Sequence, residues 1–194
     1  MQRILILLLA ALCVASCGRR RNAPSQDAAA SDTRPRVFLP AIAPSGLSPE
    51  ERRDYLREHY WDRFDFADTL FTVRADTLQM VEAYARYIAL ISDRPTDGAP
   101  IDSLMRRASS SRKMLDYFAM LAERVLHDPN SPLRNDEFYI PVLQAQLRAP
   151  WYDEYERIAP EYDLEMAMQN RLGDPANDFR YTLASGASGT LYGL

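Results

Sequence analysis

Helical periodicity of the apolar residues dominates the chain from residue 48 onward. Ser48 precedes Pro49 and Glu51, which is the pattern of a capping box with proline at the first helical position. This pattern predicts a first helix that ends near Tyr60. A second helix is predicted to begin after Asp76, where apolar residues recur at helical spacing. Its apolar stripe consists of Leu78, Val81, Ala85 and Ile88.

Further helices are predicted between breaker segments that contain proline, glycine and asparagine. The clearest of them starts at Ser110 or Ser111 and stops before Asp128. Its core-facing residues are Met114, Leu115, Phe118, Leu121, Ala122 and Val125. The other helices are predicted over residues 101–108, over residues 135–148 with Asn135 as N-cap, and over about residues 161–172.

The C-terminal segment changes its period. Residues 178–183 alternate polar and apolar, which indicates a strand, and residues 190–194 follow a turn as a second strand. An isolated two-stranded hairpin is marginal in water, so the hairpin is expected either to pack on the helices or to belong to a larger sheet. The sequence therefore predicts a mainly α fold: a compact bundle of five to six helices over residues 47–173, with a short C-terminal β-hairpin.

Residues 1–16 have the layout of a secretory signal peptide. Arg3 precedes an apolar run from Ile4 to Ala15, which is shorter than the ~20 residues of a membrane-spanning helix. Small residues lie directly before Cys17, and this ending resembles the lipobox of bacterial lipoproteins. The resemblance implies cleavage after Ser16 and lipidation of Cys17, which would then anchor the protein to a membrane. The alternative is an ordinary secretory signal in which Cys17 is incidental.

The expected location follows from the anchor. Gly18 comes directly after the cysteine, and the absence of aspartate there resembles the signal that sorts lipoproteins to the outer membrane. We therefore expect a lipid-anchored protein of the cell envelope, in the outer membrane and facing the periplasm. Residues 17–46 are predicted to be the lipidated N-terminus and a disordered tether. Within this tether, Val37 to Ile42 either docks on the folded domain as an extended strip or is an apolar part of the linker.

Cysteine and histidine are scarce, which excludes several classes of site. Cys13 and Cys17 are the only cysteines, so the lipidated chain would have no free thiol for a C-x-x-C redox centre or a thiolate metal site. His59 and His127 are the only histidines and are far apart in the sequence, which disfavours a zinc hydrolase or a Ser-His-Asp enzyme. The formal net charge of −4 disfavours nucleic acid as a partner. No catalytic residue, cofactor or metal ion is predicted for this chain.

The aromatic and acidic segment that starts at residue 60 is a first candidate interaction surface, with Trp61, Asp62, Asp65 and Asp68 as its members. If the segment is helical, the three carboxylates line one helix face and are able to bind a hard cation. The sequence favours a second interpretation. In that interpretation the aromatic rings pack in the core, and the aspartates face solvent or pair with Arg63.

Residues 128–135 are the second candidate surface. Loops on a rigid scaffold often carry binding. The polar residues of this loop are Asp128, Asn130, Arg134 and Asn135. The favoured alternative is a structural turn, in which Asp and Asn side chains cap the neighbouring helices and proline fixes the backbone angles.

Three separated segments resemble one family. Residues 60–69, 128–143 and 170–179 are similar to the opening, middle and exit of a helical domain of unknown function in envelope lipoproteins. In that family the helical domain stands in front of a thioredoxin-like domain of the TlpA type of thiol-disulfide oxidoreductase. The resemblance implies that residues 174–194 are the first strands of such a domain, truncated at Leu194. The redox C-x-x-C of the family has no counterpart in this sequence.

These observations predict a membrane-anchored periplasmic lipoprotein whose helical domain is a non-catalytic interaction or positioning module. Its expected partners are the membrane, through Cys17, and a periplasmic protein. One alternative is the N-terminal part of a thioredoxin-like thiol-disulfide oxidoreductase whose catalytic half lies outside this chain. A second alternative, which rests on the aromatic clusters, is an envelope protein that binds a small ligand.

Overall fold

Helices and one hairpin make up the computed structural model of the chain, which describes residues 35–93, 98–169, 171 and 173–193. All of these residues lie in one unit, Arg34–Leu194. The described α-helices are α1 (Pro49–His59), α2 (Phe71–Arg74), α3 (Thr77–Ile91), α4 (Ala99–Ala108), α5 (Arg112–Ala122), α6 (Asp136–Arg148) and α7 (Glu154–Met168). A π-helical segment, Glu123–His127, continues α5. The predicted mainly α fold with a C-terminal hairpin is confirmed, with seven described α-helices where five to six were predicted.

The predicted N-caps are confirmed by side-chain hydrogen bonds. Ser48 and Glu51 form the capping box of α1. Asp76, Ser111 and Asn135 each accept a bond from the backbone N–H three residues later, at 3.0, 3.2 and 3.2 Å. These caps satisfy N–H groups that have no partner within the helix, and so they fix where α3, α5 and α6 begin.

The predicted apolar stripe of α3 is only partly correct. Ile88 is buried and Val81 and Ala85 pack partly buried against the core, but Leu78 is 69% exposed. The side chains that α3 buries are Met80, Ala83, Tyr84, Tyr87, Ile88 and Ile91. They repeat with the same helical spacing on a neighbouring face, and that face buries more area because two of its members are tyrosines.

The last helix begins earlier than predicted. It starts at Glu154 because Asp153 and Glu156 form a capping box, and it ends at Met168. The sequence interpretation placed the start at Glu161, after Pro160. The proline instead lies inside α7, where it is the only buried residue of the helix, on the side that packs against α6.

Residues 35–44 run as a strip over the helices and residues 45–46 form a turn. Docking is therefore the correct one of the two alternatives for Val37 to Ile42, and the prediction that the disordered tether continues to residue 46 is wrong. Arg36 donates its backbone N–H to the Arg74 carbonyl at 2.8 Å, and accepts at its own carbonyl from Asp76 at 3.1 Å. The Gln79 side chain bonds both the N–H and the carbonyl of Phe38. Phe38 is buried in the core, which gives the strip a hydrophobic anchor.

The C-terminal hairpin pairs β1 (Arg180–Thr182) with β2 (Ser188–Thr190) in antiparallel register, and a 3₁₀ turn, Leu191–Gly193, follows. No residue from 173 to 193 is buried. Between α7 and the hairpin, Arg171 makes two hydrogen bonds to Glu137 of α6, at 2.8 and 2.6 Å. The bonds from Arg171 hold the pKa of the Glu137 carboxyl below its usual value, so the pair is charged at neutral pH.

Candidate functional site

Trp61 lies in the hydrophobic core. Its side chain is 3% exposed. The Phe38 ring stacks on it with ring centroids 4.8 Å apart, and Phe118 and Tyr87 meet it edge-on at 5.3 and 5.6 Å. The favoured interpretation of this segment, an aromatic core, is therefore confirmed. The Trp61 ring adds little to any surface that a protein partner meets.

The three aspartates after Trp61 do not share a helix face, because residues 60–70 form consecutive turns. Asp65 and Asp68 accept from backbone N–H groups two residues later, at 2.9 and 3.1 Å, as aspartates in turns commonly do. Asp68 also pairs with Arg36, and Asp62 lies 2.7 Å from His59 Nδ1. Nowhere in the described residues do three His, Cys, Asp or Glu side chains gather as a metal site requires.

Several polar side chains of the candidate loop at residues 128–135 make hydrogen bonds that stabilise the loop's own conformation. Asp128 accepts from the backbone N–H of Asn130 at 2.8 Å, and the Ser131 hydroxyl donates to the Val125 carbonyl at 2.5 Å. Asn135 caps α6, while the side chain of Arg134 is exposed. Within the described residues, no hydrogen bond or ion pair joins this loop to the aspartates near Trp61. The two candidate surfaces thus remain separate.

A surface cleft of about 350 Å³ lies beside Trp61, where α1, α3 and α4 meet. Its cationic side chains already have partners. Arg57 donates to the Leu90 carbonyl at 3.1 Å and pairs with Asp54 and Asp93. Arg107 donates to the Trp61 carbonyl at 3.0 Å and pairs with Asp62 at 3.4 Å. Because these bonds neutralise and orient the guanidinium groups, the arginines of the cleft join the helices and are not available to bind an anion.

A second cleft, of about 390 Å³, lies between α4 and the end of α6. Arg106 and Arg148 line it, and both pair with Asp102 at 2.8 and 3.0 Å. The two guanidinium groups share this one carboxylate, which orients both of them and leaves one positive charge in excess. Trp151 closes the cleft from the junction that leads to α7.

The buried tyrosines are poor candidates for acid–base chemistry. Burial raises the pKa of Tyr60, Tyr87 and Tyr117 to about 12, because the anionic phenolate loses its hydration. Burial raises the pKa of Tyr84 and Tyr139 as well. These hydroxyls stay protonated at neutral pH. Tyr60, for example, donates to the Ala83 carbonyl at 2.8 Å, a structural bond.

The exposed face of α7 is the feature that the sequence interpretation missed. Four apolar side chains lie on it at spacings of three, four and four residues, and we refer to them as the α7 stripe: Tyr155, Ile158, Tyr162 and Met166. Because the sequence interpretation started this helix at Glu161, it did not include Tyr155 and Ile158. The capping box Asp153–Glu156 was the sequence signal that reveals them.

Cys17 and the predicted signal peptide lie outside the described residues. Within the described part of the chain, no helix is long and apolar enough to cross a membrane. The described part also contains no cysteine. Lipidation of Cys17 stays a prediction.

Comparison with known proteins gives two matches. The model of a family described as a domain of unknown function, DUF5106, matches residues 16–170. The crystal structure of a thioredoxin-like protein from Bacteroides caccae ATCC 43185 is similar, with a TM-score of 0.69 and 41% sequence identity. The similarity covers 81% of this chain and 57% of that protein, so this chain spans a little more than half of its relative. Among curated proteins no match was found.

Proposed function

The chain belongs to the family defined by the domain of unknown function DUF5106, and from that premise we propose that it is the helical positioning module of a lipid-anchored, thioredoxin-like protein of the cell envelope. The observation that carries the proposal is the 41% identity to a thioredoxin-like protein of which this chain spans 57%. Identity at this level over most of the chain supports a common design for the two proteins. The helices hold a thioredoxin-like domain at a set place, and that domain belongs to the same polypeptide.

The side chains of the helical unit decide which role belongs to it and which to the thioredoxin-like domain. Its described residues lack cysteine, and its buried tyrosines stay protonated at neutral pH. Thiol chemistry therefore has no residue to act through in the described part, and any such activity belongs to the thioredoxin-like domain. The helical unit contributes a rigid scaffold of capped helices around a large aromatic core. It therefore acts as an interaction module.

The anchor is the second part of the proposal. The signal-like residues 1–16 and the lipobox-like ending before Cys17 support lipidation, and the residue after Cys17 supports an outer-membrane location facing the periplasm. Several acyl chains on one cysteine give lasting attachment, whereas one chain gives marginal binding. The strip that begins at residue 35 is docked on the helices. Residues 18–34 would then be the span between the lipid and the folded unit.

The substitution Cys17→Ser tests the anchor. We expect the native protein in the membrane fraction of its own cells, with radiolabelled palmitate incorporated. The variant is expected to lose the label and to leave the membrane fraction. The control is Cys13→Ser, which changes the other cysteine of the predicted signal and should leave labelling unchanged. Equal labelling of the wild type and the Cys17→Ser variant would contradict the anchor.

A further inference from the structure

The α7 stripe is an apolar surface without a cover in the described residues. Tyr155, Ile158, Tyr162 and Met166 are 82%, 58%, 61% and 40% exposed. Their spacing places them on one side of the helix, while Pro160 faces the opposite side and packs towards α6. Contiguous apolar patches of this kind on soluble domains mark interaction sites.

Acidic side chains border this surface along one edge. Glu154, Glu161 and Glu165 are exposed, and the 3.6-residue period puts them beside the stripe on the same side of α7. Glu161 also pairs with Arg157 at 3.3 Å, so the edge keeps a net negative charge from the other two glutamates. An anionic lipid surface would repel such an edge. A protein surface with an apolar centre and basic side chains at its rim would complement it.

The C-terminal hairpin lies close to this surface along the chain. β1 begins at Arg180, only a short segment after the end of α7. Residues 173–193 contain no buried side chain, although Phe179, Leu183 and Tyr192 are large and apolar. A two-stranded hairpin without buried side chains gains stability when further strands or another domain pack against it.

The similarity to a thioredoxin-like protein indicates what kind of domain covers the α7 stripe. This chain spans 57% of it, so a large part of that protein has no counterpart here. We propose, on the basis of the proposed function, that the α7 stripe is the surface on which the thioredoxin-like domain docks, with the hairpin as the adjoining part of the same interface. The docked face of that domain is apolar with a basic rim. The helical unit thereby fixes the orientation of the domain relative to the membrane anchor.

Two methionines of α7 provide a built-in comparison. Met166 belongs to the stripe, whereas Met168 lies about 160° away around the helix, beyond the last glutamate of the acidic edge and outside the proposed contact. In the helical unit they are similarly exposed, 40% and 45%. The experiment treats the native protein, solubilised from its envelope in detergent, with hydrogen peroxide and follows methionine sulfoxide at each position by peptide mass spectrometry. We expect Met166 to oxidise several-fold more slowly than Met168, and the difference to vanish in denaturant. Equal rates in the native protein, or equal protection of both residues, would overturn the proposal.

A photo-crosslinker identifies the cover. The native protein carries p-benzoylphenylalanine in place of Tyr162, and a control carries it in place of Leu78, which is 69% exposed on α3. We expect crosslinks from position 162 to peptides of the thioredoxin-like domain, and none to that domain from position 78. Crosslinks from position 162 to a second copy of this chain, to another protein or to lipid would refute the docking surface.

The proposed function and the docking surface are refuted by different results. If the native protein contains a thioredoxin-like domain but position 162 does not reach it, the docking surface is wrong and the proposed function stands. If the native protein contains no such domain, the proposed function fails and the docking surface fails with it. The mass of the native protein separates these two cases.

Discussion

Phe38 shows how one residue attaches a segment that composition alone assigns to a linker. Its ring contacts Trp61 and meets Phe64 edge-on with centroids 5.6 Å apart. The neighbouring Leu39 points away and is 60% exposed. Adjacent residues on an extended strip face opposite sides, so these two apolar side chains have opposite roles.

The pair gives a matched test of strip docking. Phe38→Ala is expected to lower the free energy of unfolding by about 3 kcal/mol, because it removes a buried aromatic ring and leaves a cavity. Leu39→Ala is expected to change it by less than about 0.5 kcal/mol. Urea unfolding measures both values. Hydrogen exchange of the Arg36 and Ala41 amides, which bond to Arg74 and Tyr60, should accelerate only in Phe38→Ala. Identical exchange in the two variants would show that Phe38 does not hold the strip.

Residue identity alone did not reveal which candidate polar groups were available for binding. Asp65 and Asp68 would share a helix face only if the segment were helical, and the favoured interpretation had them solvated or paired with Arg63; instead, each accepts from a backbone N–H two residues later and stabilises a turn. A helix and a series of such turns differ in backbone hydrogen bonds that the residue pattern does not specify. The burial of Trp61 was more predictable, although its stacking partner Phe38 comes from a distant part of the chain.

Among the elements, most helix starts were predictable, although that of α7 was not. The residues predicted to face the core are all buried for α5 and its π-helical continuation, but only in part for α3. A cap depends on two residues three positions apart, so Ser48, Asp76, Ser111 and Asn135 were readable from the sequence. The buried face of α3 depends on which neighbours surround it. Two overlapping apolar faces were present, and the sequence offered no information about the elements that would cover one of them.

The start of α4 is a junction that only glycine fits without strain. Gly98 has φ +80, and a Cβ built on it would lie 2.8 Å from the Glu137 carbonyl oxygen and 2.8 Å from Pro141 Cγ, both in α6. Gly46 has a similar φ of +91 with open space around it. The two glycines therefore separate the cost of backbone strain from the cost of a clash between helices.

Gly98→Ala is expected to destabilise the protein more than Gly46→Ala does. Gly46→Ala should cost about 1 kcal/mol, the usual penalty for a side chain in the left-handed region. Gly98→Ala adds a steric overlap between α4 and α6, which we expect to cost about 1–3 kcal/mol more. Urea denaturation of the two variants gives the difference directly. Equal costs would mean that α6 yields freely and that the α4–α6 contact is not tight.

Taken as a whole, the described unit is a scaffold whose charged side chains are largely paired with one another, and the apolar face of α7 is left exposed. Its clefts are lined by arginines that already have partners, and its aspartates near Trp61 serve turns and ion pairs. The α7 stripe and the unburied hairpin follow one another in the C-terminal part of the chain. This arrangement favours a unit that positions another body over a unit that binds a small ligand.

The intact mass of the native protein, extracted from its own cell envelope and followed by peptide sequencing, decides whether the helical unit shares its polypeptide with a thioredoxin-like domain. We expect a mass well above that of residues 17–194, with acyl chains on Cys17 and peptides of a thioredoxin-like domain. A mass equal to that of lipidated residues 17–194 would refute the proposed function, because the helical unit would then have no thioredoxin-like domain to position.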